Sequence, residues 1–284
     1  MPNFSRTGHQ GMVNGYFRET RTHWRDVYRS NDLAGRRYQN RMAAVLTLVD
    51  SLHLSPESSV LEVGCGAGLT TVALAQRGFR VHATDAVPAM IEQTRRAAEE
   101  SSVTDRVRIT LNDVHKLTLP NDYFELVLAV GVIPWMDSPA QPLREMIRVT
   151  KPGAHLIVTV SNRWSLNQVL DPFCFPLLRP IRRKVRDSLE RLGFFKGKPA
   201  RLRHAFHSNK EFDAMLMTEG VQKIRGITVG FGPFTFMTFH LFSESTGVRI
   251  HNLLQARADK GTFALRSAGE GYIVLARKPL SPRQ

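Results

Sequence analysis

The sequence predicts an α/β fold, a doubly wound and mostly parallel sheet with an N-terminal helical cap and a basic helical insertion. Three observations carry that prediction. Strand-like apolar runs alternate with helical patterns from Val60 to Val160, as in parallel sheets covered on both faces. Two helical patterns precede the first strand. After the fifth strand, ten Lys or Arg fall between Arg179 and Arg203, against Asp187 and Glu190 alone.

The elements follow in order. Residues 1–12 read as a polar tail. Phe17, Trp24 and Tyr28 recur at helical spacing within residues 14–31, giving a helix with one aromatic face. The simplest reading of that face is packing against the core. Arg36 to Leu52 forms a second helix on the stripe Met42, Val45, Leu46 and Val49. Val60–Val63 is the first strand, Leu69–Arg77 a helix ended by Gly78, and Arg80–Asp85 the second strand. Ala89–Glu100 is helical. Val107–Leu111 and Phe124–Val130 are strands three and four, and Leu143–Val149 is a helix. Lys151-Pro152-Gly153 is a turn before strand five, Ala154–Val160. The chain divides into a tail and cap (1–52), a core (53–161), a basic insertion (162–206) and a C-terminal part of the sheet (207–284).

The first strand breaks at Gly64-Cys65-Gly66-Ala67-Gly68 and a helix opens at once. Glycine admits positive φ and close approach of a ligand, and the first helical N–H groups lack intrahelical partners. A dinucleotide fingerprint requires G-x-G-x-x-G, but Leu69 stands at its third position. Glu62, two residues before the first glycine, would repel a pyrophosphate and suits a cationic amine. Asp85, 21 residues after Gly64, ends strand two where an acid meets a ribose diol.

Glu62-Val63-Gly64-Cys65-Gly66-Ala67-Gly68 resembles motif I of the class I S-adenosylmethionine (SAM) dependent methyltransferases. The likeness continues in register to Ser161. Asp85 matches the acid of motif II, and Met90 the residue that packs on the adenine. Asp113-Val114 is similar to the acid and amide that read the adenine. Phe124-Glu125-Leu126-Val127 and Lys151-Pro152-Gly153-Ala154 match the fourth strand and the turn before the fifth. The resemblance implies a Rossmann-like methyltransferase fold with a seven-stranded sheet. Helix His207–Glu219 and the antiparallel strands Gln222–Thr228 and Gly271–Ala276 would complete it. It implies SAM as cofactor, held by Glu62, Gly64, Cys65, Gly66, Gly68, Asp85, Ala86, Met90, Asp113, Val114 and Val130. Phe231–Phe242 is either an extension of strand six or part of the acceptor pocket.

After strand four, Val130-Gly131-Val132-Ile133-Pro134-Trp135 replaces the N/D-P-P-Y/F head with which amino-methyltransferases orient an amine. That favours a small-molecule acceptor with an oxygen or carbon nucleophile, and it argues against nucleic acid. A base would assist a hydroxyl acceptor, and His115, His204 and His207 are the candidates. No catalytic residue is assigned, and no spacing suggests a metal site. The cap residues Tyr16-Phe17, Trp24, Tyr28 and Arg41 resemble those of magnesium-protoporphyrin O-methyltransferases. The core plus an insertion is similar to ubiquinone-pathway O-methyltransferases. Both imply a bulky, apolar or anionic acceptor. An RNA methyltransferase and a non-catalytic SAM-binding protein stay as alternatives.

The formal net charge is +14, which calls for an anionic partner. Ile181, Val185, Leu189 and Leu192 form a stripe between Pro180 and Gly193, with Arg182, Arg183 and Arg186 off it. Such a basic amphipathic helix suits peripheral contact with an anionic membrane, or equally a solvated lid. Met1–Gln10 shows no signal-peptide pattern, and no apolar run reaches a membrane span. Only Cys65 and Cys174 are present, so a disulfide framework is not expected and a reduced, cytoplasmic setting is.

Overall fold

The computed structural model describes residues 8–178, 180, 181, 184, 188, 202, 204–237 and 239–280. Its sheet runs in the order β3-β2-β1-β4-β5-β10-β7. The central strands are β1 (Ser59–Val63), β2 (Arg80–Asp85), β3 (Val107–Leu111), β4 (Phe124–Ala129) and β5 (Thr150–Asn162), all parallel. A two-residue strand, β6 (Phe206–His207), adds to the end of β5, so the sheet has eight strands among the described residues, where seven were expected. β7 (Gln222–Val229) and β10 (Gly271–Arg277) are antiparallel, with β10 between β5 and β7. β8 (Thr235–Phe236) and β9 (Phe239–His240) form a separate hairpin.

Alternation along the strands divides the core in two. Leu61, Val63, Val127 and Ala129 face one side with helices α6 (Ala140–Val149) and α8 (Asn209–Thr218), where Leu143, Met146, Phe212 and Leu216 are buried. Val60, Leu126 and Leu128 face the other. There they meet Val45, Leu48 and Val49 of α3 (Leu33–Asp50), Leu74 of α4 (Leu69–Ala75) and Ala98 of α5 (Pro88–Glu100).

The cap departs from the expected single helix. It is broken into α1 (His9–Glu19), α2 (Arg21–Asp26) and a 3-10 turn at Val27–Arg29. The break lies at Thr20, whose hydroxyl donates to the Tyr16 carbonyl at 2.7 Å and accepts from the Trp24 indole at 3.1 Å. Helix α1 starts inside the stretch read as tail, of which residues 1–7 lie outside the described residues. Asp32 caps α3 by accepting from the Gly35 amide at 2.7 Å.

Three further differences concern the second half. Lys151-Pro152-Gly153 is not a turn before β5 but part of it. Gly153 takes φ +79°, and the register against β4 slips between Phe124 and Leu126, as at a bulge. The insertion contributes α7 (Leu166–Leu170) and a 3-10 turn at Pro176–Leu178. The expected Pro180–Gly193 helix lies mostly outside the described residues. A helix that periodicity did not reveal, α9 (Glu244–Asp259), packs on α3 and β7.

Candidate active site

A cavity opens beyond the carboxyl ends of β1, β2 and β4, where ligands sit in parallel sheets. Its floor is the glycine turn. Gly64, Gly66 and Gly68 have φ of +70°, +56° and +80°. They serve different ends. A Cβ on Gly64 would overlap Val132, and one on Gly68 would come within 2.8 Å of the Thr94 backbone. A Cβ on Gly66 would meet nothing within 4 Å, because that position faces open space.

Of the eleven expected cofactor residues, ten line this cavity: Glu62, Gly64, Cys65, Gly66, Asp85, Ala86, Met90, Asp113, Val114 and Val130. Gly68 does not. It is the N-cap of α4 and lets that helix approach α5.

Burial sets the charges. It pushes the Glu62 carboxyl up to about 8, although Thr71 donates to it. Burial also raises Asp85 to about 6, while its oxygens accept from the Val87 amide at 2.9 Å and the Gly66 amide at 3.1 Å. The Cys65 thiol is pushed up too, so it is an inert wall rather than a nucleophile. His115 donates its backbone amide to Asp113 Oδ1 at 2.9 Å, and its ring Nδ1 lies 2.7 Å from the same oxygen.

The roof comes from the cap. Phe17, Trp24, Tyr28 and Tyr38 line the cavity with Trp135 of the 3-10 turn after β4. Their packing is edge-on and stacked, with Phe17 5.1 Å and Tyr16 5.5 Å from Trp135. The aromatic face of the cap therefore walls a cavity instead of disappearing into the core. Arg41 of α3 sits among these rings, 4.9 Å over Tyr38, against Gly131. Of the three candidate bases, only His204 reaches the wall, 4.9 Å from Trp135. Burial, helped by Arg41, holds it down at about 4. His115 and His207 do not line the cavity.

Residues 61–158 match a methyltransferase domain family. A malonyl-[acyl-carrier protein] O-methyltransferase of Halorhodospira halophila is 35% identical over 144 residues, 48% of each chain. A 2-methyl-6-phytyl-1,4-hydroquinone methyltransferase of Synechocystis is 30% identical over 158 residues, 51% of this chain and 48% of that one. The chain thus spans about half the length of the curated relatives it matches. The SAM-bound structure of a Synechocystis magnesium protoporphyrin IX methyltransferase shares the fold, with a TM-score of 0.62 at 14% identity, covering 96% of this chain and 99% of that one. The chain carries a class I SAM-dependent methyltransferase domain.

The methyltransferase cavity fits its cofactor, SAM, group by group. Asp85 can accept from both ribose hydroxyls, since its own amide partners hold the carboxylate in place. Met90 and Val114 are buried apolar surfaces for the adenine, beside Asp113. Gly66 leaves room where a side chain would collide with the ligand. Glu62 suits the ammonium, which would draw its carboxyl into the ionised form. The cofactor also has a carboxylate, and for this the sequence offered no assigned partner. Arg41 is placed to take that role. Its Nε is buried without an acceptor, and among the described residues no carboxylate pairs with it. Arg37, one turn earlier, is instead paired with Glu270. The sequence signal for Arg41 was its place among the cap residues that resemble those of magnesium-protoporphyrin O-methyltransferases, and it carried no role toward the cofactor. His115 stands behind the cavity wall, in contact with Asp113.

Proposed function

We propose that the protein moves a methyl group from SAM to an oxygen or carbon of a small lipophilic or acidic metabolite. One observation carries this reading: the cofactor cradle and the aromatic chamber are a single cavity. An acceptor seated against Phe17, Trp24 and Trp135 is therefore within reach of the donor. Rings of this kind bind flat, apolar bodies, and they favour a small molecule over a nucleic-acid strand, which needs an open basic groove. The segment after β4 supports an oxygen or carbon nucleophile, because Val130, Val132 and Ile133 offer no side-chain acceptor to orient an amine. The relatives named for malonyl-acyl-carrier protein and a phytylhydroquinone agree with an acidic or lipophilic acceptor.

Bound SAM supplies an activated methyl group on a sulfonium. The chain's own residues align and desolvate. An electron pair of the acceptor oxygen or carbon would form a bond to the methyl carbon as the carbon–sulfur bond breaks, which would leave S-adenosylhomocysteine as a neutral thioether. The acceptor's proton, where it has one, passes to a base. His204 is neutral at physiological pH and lies in the wall, so it can take that proton, though its depressed pKa makes it a weak base. An acceptor that is already acidic needs no stronger one.

The test is mass spectrometry of a cell extract incubated with the protein and deuteromethyl-SAM. A labelled small molecule identifies the acceptor and the atom. Label in RNA would transfer the reading to nucleic acid. SAM bound with no label anywhere would reduce the protein to a binding module.

A further inference from the structure

A second chamber adjoins the first. Arg37 and Arg41 of α3, Ser161 of β5 and Glu270 just before β10 line it. Tyr38, Arg41, Pro134, Ser161 and His204 line both chambers, so the two meet along those residues. The sheet fixes its place. Because β10 runs against β5 and β7 against β10, the start of β10 and the end of β7 lie at the same edge as the carboxyl end of β5. The cofactor cradle therefore sits over β1, β2 and β4, and the second chamber over β5, β10 and β7. The phenylalanine-rich stretch 231–242 lines neither chamber and does not extend β7. Phe231 is buried, the chain turns out through the β8–β9 hairpin, and Phe236, Phe239 and Phe242 are exposed.

The second chamber is rich in donors. Arg37 pairs with Glu270 through one terminal nitrogen, and its Nε is buried without an acceptor among the described residues. The Arg41 Nε, one turn on, is in the same condition. A buried donor on a cation is costly to leave unpaired, and a bound anion removes that cost. Tyr38 and Ser161 add hydroxyl groups to the lining. With His204 neutral at physiological pH, the charged groups of the lining are Arg37, Arg41 and Glu270, one positive charge in excess. Bound SAM, a net cation, does not cancel it. Glu270 is itself a carboxylate held by Arg37, so the chamber already accommodates that group's shape and charge.

We infer that the second chamber holds a carboxylate of the acceptor, selected by Arg37, while the acceptor's apolar body lies among Phe17, Trp24 and Trp135. This names an acceptor class within the proposed function and rests on that reading. An excess of a single positive charge suits a carboxylate better than the dianion of a phosphate ester. Spacing separates the anchored acid from the reacting atom. Neighbouring strands lie about 4.8 Å apart, and β10 stands two strands beyond β4, so the middle of the chamber is about 10 Å from the end of the cofactor cradle. The carboxylate is therefore an anchor and not the methylated oxygen. The acceptor is an amphiphilic acid whose nucleophilic oxygen or carbon lies at least one ring's width from its acid group.

The experiment is calorimetry on the protein saturated with S-adenosylhomocysteine, titrated with 3-phenylpropionate and with its neutral isostere 3-phenylpropionamide. The parent should bind the acid about tenfold more tightly than the amide, and Arg37→Met should bring the two affinities together. Arg37→Met strands Glu270, so Arg37→Met/Glu270→Gln repeats the measurement without an orphaned acid in case the single variant misfolds. The acid-to-amide ratio is a readout that a merely structural role for Arg37 would not move. S-adenosylhomocysteine affinity should be the same in parent and variants. A parent that binds the acid no more tightly than the amide, or binds neither, overturns the inference. So does a preference for the acid that survives the loss of Arg37. Transfer from deuteromethyl-SAM in a cell extract is read separately. A labelled product that keeps a free carboxylate supports the inference, and one without any overturns it. Absence of label beside an intact acid preference sinks the proposed reaction and leaves the anion chamber standing.

Discussion

The Arg41 guanidinium donates to the Tyr28 hydroxyl at 2.9 Å in the roof of the cavity, and among the described residues that phenol is its only side-chain hydrogen-bond partner. A cation so placed calls for an anion. Arg41→Met should lower SAM affinity by about ten- to hundredfold, the worth of one bond to a charged group at roughly 1.5–3 kcal/mol. 5′-Methylthioadenosine, which lacks the amino-acid part, should bind parent and variant alike. Calorimetry decides: equal loss for both ligands would place Arg41 elsewhere in the site.

Glu62 gives SAM binding a pH dependence. In the free protein its carboxyl titrates near 8, so at pH 7 it is mostly protonated. An ammonium beside it requires the ionised form, and binding should release close to one proton at pH 7. Affinity should climb by up to about tenfold per pH unit between 6 and 7.5. Calorimetry in buffers of different ionisation enthalpy measures the proton directly, and Glu62→Gln should abolish the release. The folded pKa stands above the ordinary carboxyl value. The stability contribution of Glu62 is therefore fully present below about 4.5 and is lost as pH rises through 8. Relative to Glu62→Gln, the free parent should weaken by up to about 1.4 kcal/mol per pH unit across that window.

Asp85→Ala should weaken SAM and 5′-methylthioadenosine together, because both carry the ribose. The loss is about 1.5–3 kcal/mol for each hydroxyl bond, less what water recovers. Gly66→Val should abolish binding of both, with a Tm a few degrees lower from a branched residue at φ +56°. A Gly66→Val protein that melts near the parent and still binds SAM would place the cradle elsewhere.

His251→Ala should cost about 2–4 kcal/mol in urea unfolding. The ring is fully buried, with one nitrogen 2.9 Å from the Asn40 amide and the other 3.1 Å from the Phe231 amide. Removing it strands both groups, at roughly 1–3 kcal/mol each. A loss below 1 kcal/mol would mean that water replaces the ring.

The cofactor floor was legible because its residues follow one another locally. A glycine turn, an acid at the end of β2 and an acid after β3 keep fixed spacings in any chain of this topology. The roof was not. Phe17, Trp24 and Tyr28 show a stripe, but a stripe reads the same whether it faces side chains or a ligand. Arg41 is distinctive for lacking an anionic partner among the described residues, and that is a tertiary fact. Helix α9 escaped because its buried stripe is Gly247, His251, Gln255 and Ala258, at helical spacing but without large apolar side chains. Hairpin β8–β9 inverted the usual pattern by sending its phenylalanines outward. At Gly153 the residues of a turn were present, and the sheet absorbed them as a bulge.

The bonds that seat α3 span most of the polypeptide. The Leu33 amide donates to Glu244, and Asn40 meets His251, each across 211 residues. On the ribosome, β1 to β5 and the glycine turn emerge long before those partners are made. A nascent chain of that length can pack Val45, Leu48 and Val49 of α3 on the sheet, but it lacks the polar bonds to α9 that seat the first half of the helix, where Arg41 sits. Competence to retain the methyl donor should therefore wait for the α9 segment, long after the glycine turn itself is made.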